Sequence, residues 1–368
     1  MQLDKKNNLK KKILVICPHP EGVAPGQRLK YEQYFEFLES NDYQISVSPF
    51  MSMRFWKIVY KQGHFIEKIF WTIIGFFRRL GNLISIYKYD GVYIFLYASP
   101  FGPPIFEWLF SKLNSKLIYD IDDLVFLKPQ SRANPLLRFI KSKNNSIYLM
   151  KSAKHVITCT PYLDQFVRKY NPNTTDISST INTIKYTPRE SYKFNDEKPI
   201  LGWSGSFSTS KYLSLLSEVL IELSNEIDFK LLVMGDPTFE MKGIDVECVP
   251  WNEQHEVQTI RRFDIGLYPL PNEEWVLGKS GLKALQYMAV GVPTIATAIG
   301  TNFRIIDQNK NGFLVKNDNE WLSSIRKLLK DEELRKNIGR AGRQNVESKF
   351  SIKANKNTYL HIFNDVYG

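Results

Sequence analysis

The sequence contains little cysteine, and the cysteines it has are not spaced as a pair or cluster. Among 368 residues there are three, Cys17, Cys159 and Cys248, and they lie far apart. This pattern excludes a disulfide framework and a cysteine-based structural zinc site. The five histidines show no metal-ligand spacing either. We therefore expect buried thiols in a reducing compartment and a fold that depends on its apolar core.

Long apolar runs are also missing. The first run, Ile13–Cys17, is shorter than the core of a signal peptide. The uncharged run 69–77 is shorter than the roughly 20 residues that span a bilayer. It lies within the segment 65–89, between Lys68 and a pair of arginines, and it is rich in Phe and Ile. This pattern fits either a helix lying in the membrane interface or a core-facing helix of a globular domain.

The excess of positive charge is confined to one half of the chain. Residues 1–180 hold 25 of the 49 Lys and Arg but only 14 of the 38 Asp and Glu, which accounts for the whole net charge of +11. An apolar content of 43% with 24% charged residues is typical of a globular protein. The basic half therefore favours a nucleic acid, an anionic membrane or a phosphorylated substrate as partner, or serves solubility alone.

Alternating strands and helices divide the chain into two α/β domains. In the first half, short apolar runs predict strands at 13–17, 43–47, 91–97, 116–119 and 155–159, with a helix at 28–40. A second alternation starts at Pro199 and continues beyond residue 315. Both halves are typical of a doubly wound parallel sheet. We predict an N-terminal domain at 1–180, a polar linker at 181–198, a C-terminal domain at 199–350 and a terminal helix at 351–368 that packs back on the first domain.

Two glycine-bounded loops in the second half have the composition of a phosphate site. The loop Gly278–Gly281 leads directly into a helix, whose first amides lack intrahelical partners and favour an anion. Lys279 and Lys283 are four residues apart and share one face of that helix. The other loop, 202–211, is rich in Gly and Ser and ends at Lys211.

These stretches resemble glycosyltransferase family 4, the retaining enzymes of the GT-B fold. The resemblance is strongest at "DIGLYPLPNEEWVLGKSGLKALQYMAVGVPTIAT" and extends to "GWSGS", "SKYL" and "NGFLV". In the first half, "ILVICPHP", "PGQRLKYEQYFEFLE" and "LIYDIDD" are similar to the acceptor-side domain. The resemblance implies two Rossmann-like domains facing a cleft. It also implies transfer of a sugar from a nucleotide-diphosphate donor, with retention and with no metal or other cofactor.

The resemblance also assigns roles to residues of the second half. The resemblance implies a phosphate-binding loop at Gly205 and Ser206, with the family's lysine at Lys211. It implies sugar and diphosphate contacts at Gly278, Lys279, Ser280 and Gly281, with Lys283 on the same helix. The base would be bounded by 249–253, which includes Val249 and Trp251. The family's pair of glutamates, eight residues apart, is replaced here by Gly278 and Gln286. Gln286 would hold the ribose, and Glu273 or Glu274 would substitute for the missing carboxylate.

The acceptor side is predicted at two loops of the first half. Asp120, Asp122 and Asp123 end a strand, and Gly26, Gln27 and Arg28 follow the first strand. Clustered carboxylates can orient an acceptor hydroxyl or ligate a metal, as the Asp-x-Asp pair does in transferases of the other major fold. We expect no metal, and we expect Asp122, Lys211 and Lys279 to be the catalytic residues.

The sequence therefore predicts a cytoplasmic glycosyltransferase, peripheral on the inner face of the membrane. Its expected partners are a nucleotide sugar, a saccharide or lipid-linked acceptor and an anionic membrane surface, with polysaccharide or glycolipid assembly as its role. Two alternatives stay open, a sugar-nucleotide epimerase of the same architecture and a noncatalytic nucleic-acid-binding protein. The second lacks any known reader motif, because the basic residues are scattered.

Overall fold

The chain folds into two compact α/β units. A computed structural model describes residues 10–124, 126, 143–194 and 198–368. The first unit comprises Met1–Ser178 together with Lys356–Gly368, and the second comprises Ser179–Asn355. Each contains one six-stranded parallel sheet with helices on its faces.

The first unit is built on a sheet in the order β2-β1-β3-β4-β5-β6. Its central strands are continuous runs of buried apolar residues, as expected of strands covered on both faces. The strands are β1 Lys11–Cys17, β2 Tyr43–Pro49, β3 Gly91–Phe95, β4 Leu117–Asp120, β5 His155–Thr158 and β6 Thr174–Asp176. The helices are α1 Pro25–Arg28, α2 Phe35–Glu39, α3 Met53–Val59, α4 Phe65–Ser85, α5 Ile105–Leu113, α6 Lys143–Ser152 and α7 Pro161–Val167.

The prediction of one continuous helix over 28–40 is wrong. The structure divides this stretch into α1, a 3-10 turn at Glu32–Tyr34 and α2. The break lies at Lys30, whose fully buried ammonium meets Asp120 at 2.8 Å. An ion pair of this kind is a tertiary contact, and it overrides the helical spacing of the local sequence.

The second unit has the strand order β12-β11-β10-β7-β8-β9, which is the Rossmann order counted from β7. Its strands are β7 Ile200–Ser204, β8 Lys230–Met234, β9 Val246–Val249, β10 Ile265–Tyr268, β11 Thr294–Thr297 and β12 Phe313–Val315. Its helices are α8 Ser217–Ser224, α9 Glu256–Arg261, α10 Leu282–Ala289, α11 Asn302–Ile305, α12 Asp318–Lys330 and α13 Glu332–Asn345, and 3-10 turns cover Ser210–Leu216 and Glu274–Gly278.

The segment 181–198 is not a linker. Its described residues pack within the second unit, where Tyr186 is fully buried and Arg189 forms a buried ion pair with Asp264 at 3.0 Å. Residues 195–197 lie outside the described part of the chain. The polar composition that suggested a linker instead supplies hydrogen bonds. It also concealed β6, an edge strand composed of two threonines and an aspartate.

The last helix, α14 Ile352–Tyr367, starts in the second unit and contributes its residues from Lys356 onward to the first. Tyr359 stacks on Tyr34 with 4.2 Å between ring centroids. The hydroxyl of Tyr367 donates to the carbonyl of Val92 at 2.9 Å. Gly91 leaves room for that ring, because a Cβ at this position would lie 2.2 Å from it. The end of the chain therefore completes the core of the first unit.

Candidate functional site

The two predicted phosphate loops meet at the point where the strand order of the second unit reverses. β7 and β10 are hydrogen-bonded neighbours at the centre of the sheet. The loop 205–209 follows β7, and the loop that ends at Gly281 follows β10. In open α/β sheets, ligands bind in the crevice at the carboxyl ends of the strands on either side of such a reversal.

Close backbone packing shapes the first loop. Gly235, at the end of β8, has φ +103°, and a Cβ there would lie 1.9 Å from the carbonyl oxygen of Gly205. A Cβ on Gly205 itself would lie 2.4 Å from the indole of Trp203 and 2.8 Å from the side chain of Lys283. Only glycine fits at either position without displacement of a neighbour. The next residue, Ser206, is exposed, and its hydroxyl lies 2.9 Å from that of Ser208.

Lys283 lies against two aromatic rings beside this loop. Its Nζ is 4.8 Å from the ring centroid of Trp203 and 5.6 Å from that of Tyr268. Burial, together with the charge of Lys279, lowers the pKa of Lys283 to about 7. An ammonium in this setting gains most from an anion that restores its lost solvation.

Lys279 and Lys211 also lie on aromatic rings, and those rings touch each other. The Nζ of Lys279 is 5.5 Å from the ring centroid of Trp275, and that of Lys211 is 5.1 Å from Tyr212. The rings of Tyr212 and Trp275 are 5.3 Å apart. The structure therefore brings the lysines of the two loops into one cluster. We call Lys211, Lys279 and Lys283 the lysine cluster.

The turn before α10 is held in a fixed conformation. Gly281 has φ +74°, and a Cβ there would lie 2.2 Å from the side chain of Ile305. The hydroxyl of Ser280 lies 2.8 Å from that of Ser179. Gly278 is buried at the end of the preceding 3-10 turn. The first amides of α10 are thus presented by a rigid loop.

Gln286 is buried in a network that sequence reasoning missed. Its Nε2 donates to Tyr186 at 2.7 Å and to Glu256 at 3.1 Å. Glu256 also accepts hydrogen bonds from Tyr186 and from the indole of Trp251. The amide donors of Gln286 are therefore used within the unit. Glu256 therefore places a carboxylate next to Gln286, the position at which the resembled family has a glutamate.

The two other glutamates named from the sequence are exposed in the loop before α10. Glu273 accepts a hydrogen bond of 2.5 Å from the indole of Trp275, the ring that carries Lys279. Glu274 begins the following 3-10 turn. Val249 ends β9, next to the segment that carries Trp251.

Asp236 fixes the start of the helical turn that carries Lys211. It accepts a 2.5 Å hydrogen bond from Ser210 and two from Thr238. Burial acts to raise the pKa of Asp236, but these hydrogen bonds outweigh it and hold the pKa below its usual range. The carboxylate therefore stays ionised and keeps Ser210 in place.

In the first unit, Asp120 is not a ligand-facing residue. Its carboxylate is fully buried, pairs with Lys30 at 2.8 Å and accepts a hydrogen bond from Tyr93. Although burial alone lowers the pKa of Lys30, the Asp120 carboxylate raises it above the ordinary value. The prediction that Asp120 and Asp122 act together therefore gives way to a structural ion pair. Among the residues that the structure describes, no group of three or more His, Cys, Asp or Glu is arranged to hold a metal ion.

Asp122 and Gly26 lie against each other. A Cβ on Gly26 would be 2.6 Å from a carboxylate oxygen of Asp122. Arg28 is buried at the end of α1. The side chain of Asp123 accepts a hydrogen bond from the amide of Leu124.

Gln27 shapes this loop from within and does not face a ligand. It is fully buried, accepts a hydrogen bond from the amide of His19 and donates to the His19 carbonyl and to Glu32. Burial lowers the pKa of His19 to about 4, so its ring is neutral at physiological pH.

Sequence reasoning missed the aromatic rings under the lysines. Trp203 lies inside a strand and reads as a core residue, and Tyr268 ends another strand. A signal was present, because Trp203 is the next-to-last residue and Tyr268 the last residue of the two strands that precede the predicted loops.

Comparison with known sequences finds a family model that matches the second unit. Residues 185–345 match the model described as glycosyl transferases group 1. N-acetyl-alpha-D-glucosaminyl L-malate synthase of Bacillus anthracis is 26% identical over 189 residues, 48% of either chain. The capsular polysaccharide biosynthesis glycosyltransferase CapM of Staphylococcus aureus is 26% identical over 171 residues, 44% of either chain. The matched part of the chain spans about half the length of each of these relatives.

Solved structures match over nearly the whole chain. Sucrose-phosphate synthase from Thermosynechococcus elongatus has a TM-score of 0.72 at 18% identity, covering 97% of this chain and 99% of that one. HepE of Anabaena, solved with UDP and glucose, has a TM-score of 0.65 at 13% identity, covering 96% and 100%. The fold is therefore GT-B, with two Rossmann-like units.

Proposed function

We propose that this chain, whose residues 185–345 match the glycosyl transferases group 1 model, transfers a sugar from a nucleotide-diphosphate donor to a saccharide or lipid-linked acceptor. The observation that carries the proposal is the lysine cluster, which surrounds two glycine-bounded loops at the reversal of the strand order. Cations, small residues and a helix start at one sheet edge form a site for a diphosphate.

The donor binds with its diphosphate between the loop 205–209 and the start of α10. Amides at Gly205, Ser206 and the first turn of α10 approach the phosphate oxygens, and the lysine cluster supplies positive charge. The base and ribose extend toward Trp251, which is 40% exposed. HepE, which has the same fold, was solved with UDP, so UDP-sugars are the first donors to test.

The chemistry is the departure of the nucleoside diphosphate. As the bond from the anomeric carbon to the diphosphate oxygen breaks, negative charge grows on the phosphate. The fixed amides and the lysine cluster stabilise that charge without a metal ion. The acceptor hydroxyl attacks from the face that the leaving group vacates, with retention. Its proton passes to the departing phosphate oxygen, so the step needs no strong protein base.

Lys283 responds to the donor through its protonation. Its pKa is lowered to about 7 in the unliganded protein. A diphosphate within reach favours the charged form and raises this pKa. Donor binding is therefore accompanied by proton uptake, and the ammonium is in place when the leaving group gains charge.

The acceptor is expected at the first unit, near Gly26, Arg28 and Asp122. The carboxylate of Asp122 beside Gly26 can orient an acceptor hydroxyl. The name of CapM supports polysaccharide assembly as the setting of the reaction. The basic first half supports a location on the cytoplasmic face of a membrane, where lipid-linked acceptors are displayed.

The proposal is tested with variants of Lys211 and Lys279. A panel of nucleotide sugars is first screened by thermal shift, and kcat/KM for the best donor is then measured in Lys211→Ala and Lys279→Ala. Loss of one stabilising charge should lower kcat/KM by about 100-fold. Lys327→Ala is the matched control, because Lys327 also lies over a ring, that of Phe313, away from the loops.

Unchanged kcat/KM in both loop variants would show that the lysine cluster does not serve the donor. Equal losses in the loop variants and in Lys327→Ala would point to general destabilisation, and would count against the site in the same way.

A further inference from the structure

A surface helix of an ordinary soluble domain exposes its polar face, whereas helix α4 of the first unit exposes an apolar face. Its outward face is apolar along its whole length, with spacings of three and four residues that keep the side chains on one side. The exposed side chains of this face are Ile66 82%, Ile69 46%, Phe70 55%, Ile73 48%, Phe77 63%, Leu80 46% and Ile84 77%. We call these seven residues the apolar face.

The opposite side of α4 packs on the protein through a buried arginine and a glycine as well as through the apolar rings of Trp71 and Phe76. Arg79 is fully buried, and its guanidinium donates to the carbonyls of Cys17, Ser48 and Ala98 at 2.9, 3.0 and 2.6 Å. Gly75 lies directly on the ring of Phe50, since a Cβ there would be 2.6 Å from it. The orientation of α4 is therefore set by specific contacts with the carboxyl edge of the sheet.

Neighbouring helices extend the apolar face. The rings of Phe76 on α4 and Phe106 on α5 are 5.7 Å apart, so the two helices pack side by side. On α5, Ile105 and Trp108 are 53% and 47% exposed. Tyr60, just after α3, is 69% exposed. Exposed apolar side chains gathered on neighbouring segments in this way mark an interaction surface.

The charges around the patch are almost all positive. Besides the buried Arg79, residues 53–88 contain six Lys and Arg and a single Asp or Glu, Glu67. They lie in the half of the chain that holds all of the net charge. Apolar side chains bordered by basic residues match the acyl boundary and the phosphate headgroups of an anionic bilayer.

We propose that α4 lies in the interface of an anionic membrane, with the apolar face in the acyl boundary and the flanking basic residues at the headgroups. With 21 residues, α4 covers about 32 Å of the surface at 1.5 Å per residue. The helix Phe65–Lys88 is also long and apolar enough to cross a bilayer by length and composition. Crossing, however, would pull Arg79 from its carbonyls into lipid, so the helix lies along the surface.

Vesicle flotation of the full chain tests this proposal. The chain is mixed with vesicles of phosphatidylcholine alone, or with vesicles in which phosphatidylglycerol replaces part of it. Ile73→Glu/Phe77→Glu places two negative charges in the apolar face. Ile184→Glu/Ile221→Glu is the matched control, because these isoleucines are also exposed, at 88% and 44%, but lie in the second unit.

We expect the unmodified chain and the control to float with anionic vesicles, and Ile73→Glu/Phe77→Glu to partition at least roughly tenfold less. Raising the salt concentration should weaken binding, because the headgroup attraction is screened. Thermal unfolding and the thermal shift caused by UDP should be the same in all three proteins. Vesicle binding is thereby measured separately from the proposed donor site.

Three results would overturn the proposal. Equal flotation of the unmodified chain and Ile73→Glu/Phe77→Glu would place the membrane contact elsewhere. No flotation, combined with a dimer in solution that Ile73→Glu/Phe77→Glu dissociates, would show that a second copy covers the apolar face. Retention of the chain in membranes washed with alkaline carbonate would show that the helix spans the bilayer.

Discussion

The two units share an architecture but use the same edge of the sheet in opposite ways. Each has six parallel strands, with its loops at the carboxyl ends. In the second unit, this edge gathers lysines on aromatic rings around glycine loops. In the first unit, two cations at this edge have partners within the protein. Lys30 pairs with Asp120, and Arg79 donates hydrogen bonds to three backbone carbonyls. The shared fold therefore does not determine the chemistry of this edge. The chemistry depends on whether the charged side chains at the edge are paired within the protein.

The largest effect should come from breaking the internal pair of the first unit. Asp120→Ala leaves the buried ammonium of Lys30 without a counter-charge, and we expect a loss of about 3–5 kcal/mol in the free energy of unfolding. Urea denaturation measures the loss. Asp365→Ala is the control, because its pair with His361 is exposed and should cost less than about 1 kcal/mol. Similar losses in both variants would mean that Asp120 has no special structural role.

In the second unit, the same kind of change should cost function and not stability. Lys283→Met keeps the apolar stem but removes the charge, so we expect kcat/KM for the donor to fall by about 100-fold. Because burial disfavours the ammonium of the unliganded protein, the Tm of Lys283→Met should stay level or rise by about 2–4 °C. A variant with lower Tm and unchanged kcat/KM would reverse the contrast between the units.

A charge swap tests the network around Gln286. Gln286→Glu places a second carboxylate about 3.1 Å from Glu256, and we expect a loss of about 1–3 kcal/mol from repulsion and lost hydrogen bonds. The double variant Gln286→Glu/Glu256→Gln should recover most of the loss, as measured by thermal unfolding. Gln254→Glu is the exposed control. A double variant less stable than Gln286→Glu would contradict the network.

The smallest effect should be a pH dependence of donor binding. The pKa of Lys283 is about 7 without donor, and bound diphosphate raises it, so the complex holds more protons. Affinity is therefore full below pH 7 and falls above it, and we expect the Kd for UDP-glucose to rise roughly tenfold between pH 6 and 8.5. Calorimetry measures Kd and proton uptake together. Lys283→Arg should flatten the profile, because guanidinium stays protonated. An equally steep profile in Lys283→Arg would assign the titration to another group.

The strands were predictable because buried parallel strands are continuous apolar runs. β2 and β5 begin at the predicted residues, Tyr43 and His155, whereas β6 was missed because an edge strand of Thr174, Thr175 and Asp176 has no apolar signal. The break at Lys30 was missed for a different reason. It depends on Asp120, 90 residues away, and no local pattern reports that partner.

The site was predictable in part for the same reason. Glycine loops followed by lysines are local signals, and the structure brings Lys211, Lys279 and Lys283 together. The aromatic rings under these lysines, in contrast, are placed by strand register and by contacts between residues that are far apart in the sequence. The burial of Gln286 against Glu256, 30 residues away, is such a contact.

The return of α14 to the first unit sets the order in which the protein folds during synthesis. The second unit is one continuous segment, Ser179–Asn355, so all of it has been translated before Lys356–Gly368. The first unit needs those residues, because Tyr359 and Tyr367 fill its core. On the ribosome, the unit translated first is therefore completed only after the second unit, and its unfinished core and the apolar face of α4 are exposed together until Lys356–Gly368 have been translated.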